Sequence, residues 1–195
     1  HSIESFNELS SLYLSKRLSD VQFIIDDHEF NAHKFILMLR SEYFSLMFNS
    51  GLKESFSNRI KLDGNQTPIK AFKMILKYIY YGKIQFTDND AFDDIIDVIA
   101  LGHLYQLNDL VNDLVNILQS NLSKDNVIVT YNLAQNYGFE SLEITCFNYI
   151  VNNGYQLLDC HQDEDYIDSL LSFDAKFLTQ LFLNDKFCCE EIEIF

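Results

Sequence analysis

Chain breakers are scarce in this sequence, and their scarcity restricts the folds that it can adopt. The 195 residues include a single proline, Pro68, and six glycines. Because proline and glycine are the residues that most often end helices and mark turns, a chain with so few of them favours helices with short connections. Hydrophobic residues make up 48% of the chain, which is enough for a sizeable buried core. We therefore expect a helix-rich globular protein.

Alternating hydrophobicity marks a hairpin before residue 34. Val21, Phe23 and Ile25 alternate with their neighbours, and this period of two indicates a strand with one face more deeply buried. Asp26-Asp27 provides a turn, and residues 29–31 return as the second strand. The sequence thus predicts a β-hairpin.

Helical spacing dominates the rest of the first 120 residues. From Lys34 to Phe48 the apolar positions fit one or two helices. Pro68 stands near the start of another helix, and Gly82 ends it. The other elements predicted here are a strand at 59–62 and helices at 3–16, 91–104 and 107–119. Residues 1–120 are therefore expected to form an α+β domain in which helices flank a small sheet.

After residue 121 the pattern is helical only. Ser123 is placed to cap a helix that ends at Tyr137, and Leu142 and Ile150 share one face of the next helix. A final helix is predicted at 174–183. We expect residues 121–195 to form a second, all-α region.

Charge and composition exclude several classes of function. The formal net charge is −15, so phosphate backbones and anionic lipids repel the chain, and we expect it to bind neither nucleic acid nor membranes. No apolar run is long enough to span a bilayer, and no secretory signal is seen. The four cysteines lack the spacing of a disulfide framework. We therefore expect reduced thiols and a cytoplasmic protein, with the nucleus as the alternative compartment.

Five short strings occur in order along the first part of the chain. They are Leu18-Ser19-Asp20-Val21, the string from Phe30 to Lys34, the string from Arg40 to Phe48, Gly51-Leu52-Lys53-Glu54-Ser55, and the string from Leu76 to Gly82. Together they strongly resemble a BTB/POZ domain over about residues 9–120, and the resemblance implies the BTB/POZ fold. Residues 121–195 resemble the N-terminal part of a BACK region, inside which we expect the chain to be truncated. The segment from Leu178 to Glu190 resembles a BTB protein of a type other than the kelch type.

The resemblance implies a substrate adaptor of a cullin-3 RING ubiquitin ligase. In BTB proteins that bind cullin-3, a hydrophobic-x-Glu motif follows a helix with aromatic and methionine residues, and Leu52 and Glu54 match that motif. Glu54 is expected to accept backbone N–H bonds and so hold Leu52 out for the partner. The alternative is that Leu52 packs internally and Glu54 is solvated. The cullin-3-binding residues implied in this way are Phe44, Met47, Phe48, Leu52, Glu54 and Tyr105; ordinary half-buried packing would equally explain Tyr105. The first BACK helices, near 121–153, are expected to extend the same groove.

The resemblance also implies self-association. In the family the first helix packs across a two-fold axis, so a homodimer is expected through Ile3, Phe6, Leu9 and Tyr13, with Asp20 near the dimer groove. The alternative is a helix folded onto its own domain, with Asp20 as a turn or cap residue. The substrate protein is unknown, because the region that recruits it in family members is expected to lie outside this chain. The alternative function is a self-associating scaffold, such as a co-repressor platform or synaptic scaffold, that does not bind cullin-3.

Signals for catalysis, metals and cofactors are weak. His33 belongs to the Ala-His-Lys string and is better explained as a hydrogen-bonded structural residue than as a catalytic base. Cys160 and His161 stand beside acidic residues, but adjacent residues rarely converge on one ion, and the remaining ligands are hard oxygens. No glycine-rich phosphate loop occurs. We expect no enzyme activity, no metal and no cofactor.

Overall fold

The computed structural model describes residues 9–51, 53–87, 91–153 and 175–184 of the chain. The chain divides into two units, residues 1–114 and 115–195. The predicted boundary between the BTB/POZ domain and the BACK region, after residue 120, stays a prediction.

A three-stranded mixed sheet lies in the first unit. The strand β1 (Val21–Ile25) pairs antiparallel with β2 (His28–Ala32) and parallel with β3 (Arg59–Leu62), so the strand order is β2-β1-β3. Asp26 in the hairpin turn adopts a left-handed backbone conformation with φ of 50°, which a short polar side chain tolerates better than most. The predicted hairpin and third strand are confirmed.

One face of this sheet is buried in the core of the first unit. Val21, Phe23 and Ile25 are buried along β1, because successive side chains of a strand point to opposite faces. The ring of Phe72 contacts those of Phe23 and Phe30, with centroid separations of 5.3 and 5.4 Å. The sheet is therefore joined to a helix through an aromatic cluster.

Helices make up most of the first unit after the hairpin. Phe72 belongs to the helix that was predicted to begin near Pro68 and to end at Gly82. Gly82 does end it, with φ of 72° and a bond from its N–H to the Tyr78 carbonyl at 2.7 Å. Its buried residues are Ala71, Phe72, Ile75, Leu76, Ile79 and Tyr80. The helices are α1 (Lys34–Arg40), α2 (Glu42–Asn49), α3 (Lys53–Phe56), α4 (Ile69–Tyr81), α5 (Phe92–Leu104) and α6 (Asn108–Ser120).

Gly102 allows α5 and α6 to approach closely. A Cβ atom at this position would lie 3.0 Å from Cγ2 of Val111, which is closer than two carbon atoms pack comfortably. The packing of the two helices offsets the cost of a glycine within a helix, which is about 1 kcal/mol relative to alanine.

The N-terminal helix ends earlier than the sequence predicts. Residues 9 and 10 are helical, but residues 11–14 form turns in which Tyr13 N–H bonds the Ser10 carbonyl at 3.1 Å. Leu14 then adopts a left-handed backbone conformation with φ of 55°. The predicted end of this helix at residue 16 was wrong, because a left-handed residue cannot continue an α-helix.

The second unit contains α7 (Val127–Tyr137), α8 (Glu140–Asn152) and α9 (Ala175–Phe182). The ring of Phe177 on α9 contacts Tyr131 and Phe147, with centroid separations of 4.6 and 5.5 Å. The predicted cap by Ser123 was wrong, because α7 begins after Asn126, whose side chain accepts the Ser123 N–H at 2.9 Å. None of the helices described for this chain is both long enough and apolar enough to cross a membrane.

Three aspartates crowd the first turns of α5. The Asp94 carboxylate accepts the N–H of Ala91 at 2.6 Å and pairs with Lys70 at 2.6 Å, so it closes the start of the helix. Asp97 is half-buried, and its burial, together with the charges of Asp93 and Asp94, raises the pKa of its carboxyl above the usual 3.8. The ionised form of Asp97 is therefore disfavoured in the folded state.

We predict that Asp97→Asn raises the free energy of unfolding at neutral pH. The gain is up to about 1 kcal/mol, from two like-charge pairs at helical spacing. Because the folded-state pKa is raised, the destabilisation by the carboxylate is fully present above that pKa and vanishes below the unfolded value of 3.8. Urea unfolding at pH 7 and at about pH 3, below the unfolded pKa, measures the difference, with Asp27→Asn in the exposed hairpin turn as control. An equal gain at both ends of the pH range would contradict the assignment.

Candidate functional site

A groove opens beside α2 on the surface of the first unit. Its volume is about 500 Å³, and Leu46, on the outer side of α2, is 60% exposed. A concave surface with an exposed apolar side chain suits a protein partner more than a small polar substrate. The residues that line the groove include Tyr43, Leu46, Met47, Ile60, Leu62 and Gln106.

Phe44, Phe48 and Tyr105, which the sequence places on the cullin-3-binding surface, lie beneath it. Their side chains are 1%, 7% and 2% exposed. A side chain buried to this degree cannot contact a partner, so their expected role changes from contact to support. Phe44 and Phe48 are four residues apart and so share one face of α2, the inner one, where large rings gain most from burial.

The buried rings form a stack that supports the groove. The rings of Phe44 and Tyr105 are stacked with a centroid separation of 4.9 Å, and Tyr43, which lines the groove, meets Tyr105 edge-on at 5.2 Å. Burial raises the pKa of Tyr105 above the usual value, and Thr67 shares a hydrogen bond with it. Its phenol is therefore a neutral core group.

The other predicted contact residues divide into described and undescribed positions. Met47 lines the groove, as expected of a contact residue. Leu52 lies outside the described residues, and so does the side chain of Glu54, whose backbone belongs to α3. The anchoring role of Leu52 and the pinning role of Glu54 stay predictions.

Gln106 closes the groove at the end of α5. The N–H of Leu107 bonds the Gly102 carbonyl at 2.8 Å, and the N–H of Gln106 bonds the His103 carbonyl at 3.1 Å. This pair of bonds is the Schellman motif, in which the residue after the cap adopts a left-handed conformation. Gln106 has φ of 55°, so the backbone presents this side chain at a position that glycine usually occupies.

Leu46 is an exposed residue of the groove lining that the motif-based prediction did not include. It lies two residues from both Phe44 and Phe48, and so on the opposite side of the helix from those buried rings. That spacing is a signal available in the sequence, because a residue out of phase with a buried stripe points outward. The string from Arg40 to Phe48 drew attention to the aromatic positions instead.

The predicted dimer residues are only partly described. Ile3 and Phe6 lie outside the described residues, and Leu9 is half-buried. The Tyr13 hydroxyl donates to the Lys73 carbonyl at 3.1 Å, and its ring meets that of Tyr80 at 6.0 Å. At least this part of the N-terminal segment packs onto its own domain, which is the alternative that the sequence left open.

Asp20 has a local structural role. Its carboxylate accepts the N–H of Lys34 at 2.8 Å, so it caps the start of α1, at which His33 provides no side-chain cap. The cap reading of Asp20 is confirmed. A role in a dimer groove stays a prediction.

The first helix after the hairpin exposes an apolar face. Phe35 and Leu39 are 72% and 63% exposed, and residues four apart lie on the same side of a helix. Large apolar side chains in this arrangement are typical of a surface that a partner covers. The sequence-based prediction did not include them.

His33 and Cys146 are buried in structural environments. His33 is buried, its Nε2 lies 2.7 Å from the Arg17 carbonyl and its Nδ1 lies 2.6 Å from the Tyr80 hydroxyl. Because a carbonyl only accepts, Nε2 carries the proton and Nδ1 accepts from Tyr80, so His33 is a structural residue as predicted. Burial raises the pKa of the Cys146 thiol to about 12, which leaves it unreactive at neutral pH.

No group of metal-ligating side chains is found in the described part of the chain. The search covers clusters of three or more histidine, cysteine, aspartate or glutamate residues. Cys160 and His161 lie outside the described residues, as do Cys188 and Cys189.

Comparison with known proteins gives consistent similarities along the chain. A sequence profile described as the BTB/POZ domain matches residues 9–122. BTB/POZ domain-containing protein 9 of Drosophila melanogaster is 30% identical over 188 residues, which cover 96% of this chain and 24% of that protein. The human protein of the same name is 28% identical over 187 residues, which cover 96% of this chain and 29% of that protein.

More distant similarities include a kelch-type protein and a solved structure. Human Kelch-like protein 6 is 26% identical over 189 residues, covering 97% of this chain and 28% of that protein. The solved BTB domain of human gigaxonin is 27% identical, with a TM-score of 0.49, and covers 60% of this chain and 91% of that one. The expected likeness to a non-kelch BTB protein is confirmed by the BTB/POZ domain-containing protein 9 matches. The chain spans between 24% and 29% of the length of these curated relatives.

We predict that truncating a side chain on the inner side of α2 lowers the free energy of unfolding, whereas truncating one on the outer side hardly changes it. Phe44→Ala should lower the free energy of unfolding by about 3–5 kcal/mol, because it leaves a cavity in the aromatic stack. Leu46→Ala should change it by no more than about 0.5 kcal/mol, because the side chain is mostly in solvent. Urea unfolding of both variants checks the contrast. Equal losses of stability would mean that Leu46 belongs to the core.

Proposed function

Because the chain belongs to the BTB/POZ domain family, we propose that it is a substrate-adaptor subunit of a cullin-3 RING ubiquitin ligase. It binds the N-terminal region of cullin-3 and catalyses no reaction itself. Its contribution is proximity, since a substrate held beside the ligase meets the reacting groups at a high effective concentration.

The observation that carries this proposal is the groove beside α2. It lies next to the residues that resemble the cullin-3-binding motif of the family, and Leu46 and Met47 supply apolar side chains at its surface. Full burial of a leucine side chain against a partner contributes about 1.5–3 kcal/mol. Leu52, for which a similar role is predicted from the sequence, is proposed as a second anchor for the same partner.

Homodimerisation is the second part of the proposal. Phe35 and Leu39 give α1 an exposed apolar face, and a symmetric pair of such faces forms an isologous interface without any further partner. Ile3 and Phe6 are proposed to contribute from the N-terminal segment. A dimer of this kind presents two cullin-3 grooves.

The second unit, whose described elements are helices, is proposed to be the N-terminal part of a BACK region. In support, α7 and α8 pack against each other and are joined by Gly138 and Phe139, with φ of 70° at Gly138. The regions that recruit a substrate are proposed to lie outside these residues. The proposed compartment is the cytoplasm.

The competing function is a self-associating scaffold that does not bind cullin-3. The exposed face of α1 is compatible with both functions, since both require self-association. The groove beside α2 favours the adaptor, because a scaffold that self-associates only through α1 does not explain the exposed apolar side chain of Leu46.

Two matched leucine variants test the proposal. We predict that the purified chain and the cullin-3 N-terminal region co-elute in size-exclusion chromatography, and that Leu46→Asp reduces the affinity measured by calorimetry at least tenfold. Leu39→Asp should weaken self-association but leave cullin-3 binding intact. The two leucines are 60% and 63% exposed, so the loss of apolar surface is closely matched.

The same experiment contains the result that would reject the adaptor. No complex with the unmutated chain, at the highest concentration it tolerates, would favour the scaffold. Leu52→Asp measured alongside shows whether the predicted second anchor exists. A cullin-3 affinity reduced equally by Leu46→Asp and Leu39→Asp would place the binding surface elsewhere.

A further inference from the structure

Ser55 connects the end of α2 to the start of α3 through its hydroxyl. Its Oγ donates to the Met47 carbonyl at 3.1 Å and accepts the N–H of Gly51 at 3.0 Å. Ser50 Oγ donates to the same carbonyl at 3.0 Å and lies 3.1 Å from Ser55 Oγ. The Met47 carbonyl is one of the last four of α2, which have no partner within the helix, so these hydroxyls complete the helix end.

The backbone of Ser55 is held from another side by Lys34. The Nζ of Lys34 donates to the Ser55 carbonyl at 3.0 Å and lies 5.1 Å from the centroid of the Phe48 ring. The backbone N–H of Lys34 is itself bonded to Asp20 at 2.8 Å. Lys34 is thus bonded both at its backbone and at the end of its side chain, and it links the start of α1 to α3.

Gly51, in the turn between α2 and α3, has open space where a side chain would begin. Gly51 has φ of 73°, and a Cβ atom built on it would meet nothing within 4 Å. Ser50 and Gly51 are exposed. The bond from the N–H of Gly51 to the Ser55 hydroxyl therefore helps to fix the backbone of this glycine.

We infer that Ser55 and Lys34 are positioning residues, which fix the connection between α2 and α3 in the conformation that binds the partner. The inference rests on the proposed adaptor function. Fixing the backbone of a residue costs conformational entropy. A turn that is already ordered in the free chain does not lose that entropy on binding, so its affinity is higher. Neither Ser55 nor Lys34 lines the groove; Ser55 acts on it through its bond to the carbonyl of Met47, which does, so their effect on binding is indirect.

The experiment compares hydroxyl removal with hydroxyl retention in the full chain. We predict that Ser55→Ala weakens binding of the cullin-3 N-terminal region about tenfold, or about 1.4 kcal/mol, and speeds hydrogen exchange of the Gly51 amide. Ser55→Thr, which keeps the hydroxyl, should restore both values. Lys34→Met, which keeps the apolar stem against Phe48 and removes the donor, should weaken binding in the same direction.

Ser57→Ala is the matched control. The Ser57 hydroxyl bonds the Arg59 carbonyl and N–H, at 2.6 and 3.1 Å, and not the end of α2. It should leave cullin-3 affinity unchanged, and circular-dichroism melting of every variant excludes global unfolding as the cause.

Two outcomes would overturn the inference while the adaptor function stands. The first is an unchanged cullin-3 affinity of Ser55→Ala although its Gly51 amide exchanges faster. The second is a loss of affinity in Ser57→Ala that is as large as the loss in Ser55→Ala. Absence of binding by the unmutated chain would overturn the inference together with the adaptor proposal. If the Gly51 amide of that chain still exchanged slowly, the turn would be ordered and the lack of binding would mean that cullin-3 is not the partner.

Discussion

One buried hydroxyl connects the core of the first unit to its candidate binding surface. The Ser41 side chain accepts the N–H of Phe44 at 3.2 Å, which caps α2, and donates to the Tyr105 carbonyl at 2.7 Å, at the end of α5. Ser41 is buried, so these bonds form away from competing water. The aromatic stack of Phe44 on Tyr105 joins the same two helix ends, and hydrogen bonds and ring packing thus fix α2 relative to α5.

This connection explains how a small domain presents a stable surface. The inner side of α2 carries Phe44 and Phe48, and the outer side carries Leu46, so one helix serves both the core and the groove. Because the inner side is anchored, the outer side has little freedom, and a partner does not need to order it on binding. Beyond the aromatic stack, the hydroxyls of Ser50 and Ser55 bond the Met47 carbonyl and so complete the end of α2.

The sequence predicted the fold well, because the fold depends on local patterns. The hairpin at Val21–Ala32 and the helix between Pro68 and Gly82 follow from hydrophobic period and turn residues, which short segments contain in full. The site was harder to predict, since the strings marked α2 but not which of its side chains point outward. Tyr105 belongs to the core through contacts with distant segments, and the bonds of Lys34 to Ser55 and of Ser41 to Tyr105 join residues far apart in sequence. Within the sequence of a single helix, the one signal for the surface was the spacing of Leu46 from the buried rings.

The central claim is that a partner docks on the outer side of α2 while the aromatic stack beneath it stays unchanged. Methyl NMR of the chain, titrated with the cullin-3 N-terminal region, tests this most directly. We expect the methyl resonances of Leu46 and Met47 to shift with increasing partner, whereas those of Leu37 and Ile79, which are buried in the same unit, stay in place. Shifts confined to the buried methyl groups, or to the α1 face at Leu39, would contradict the account.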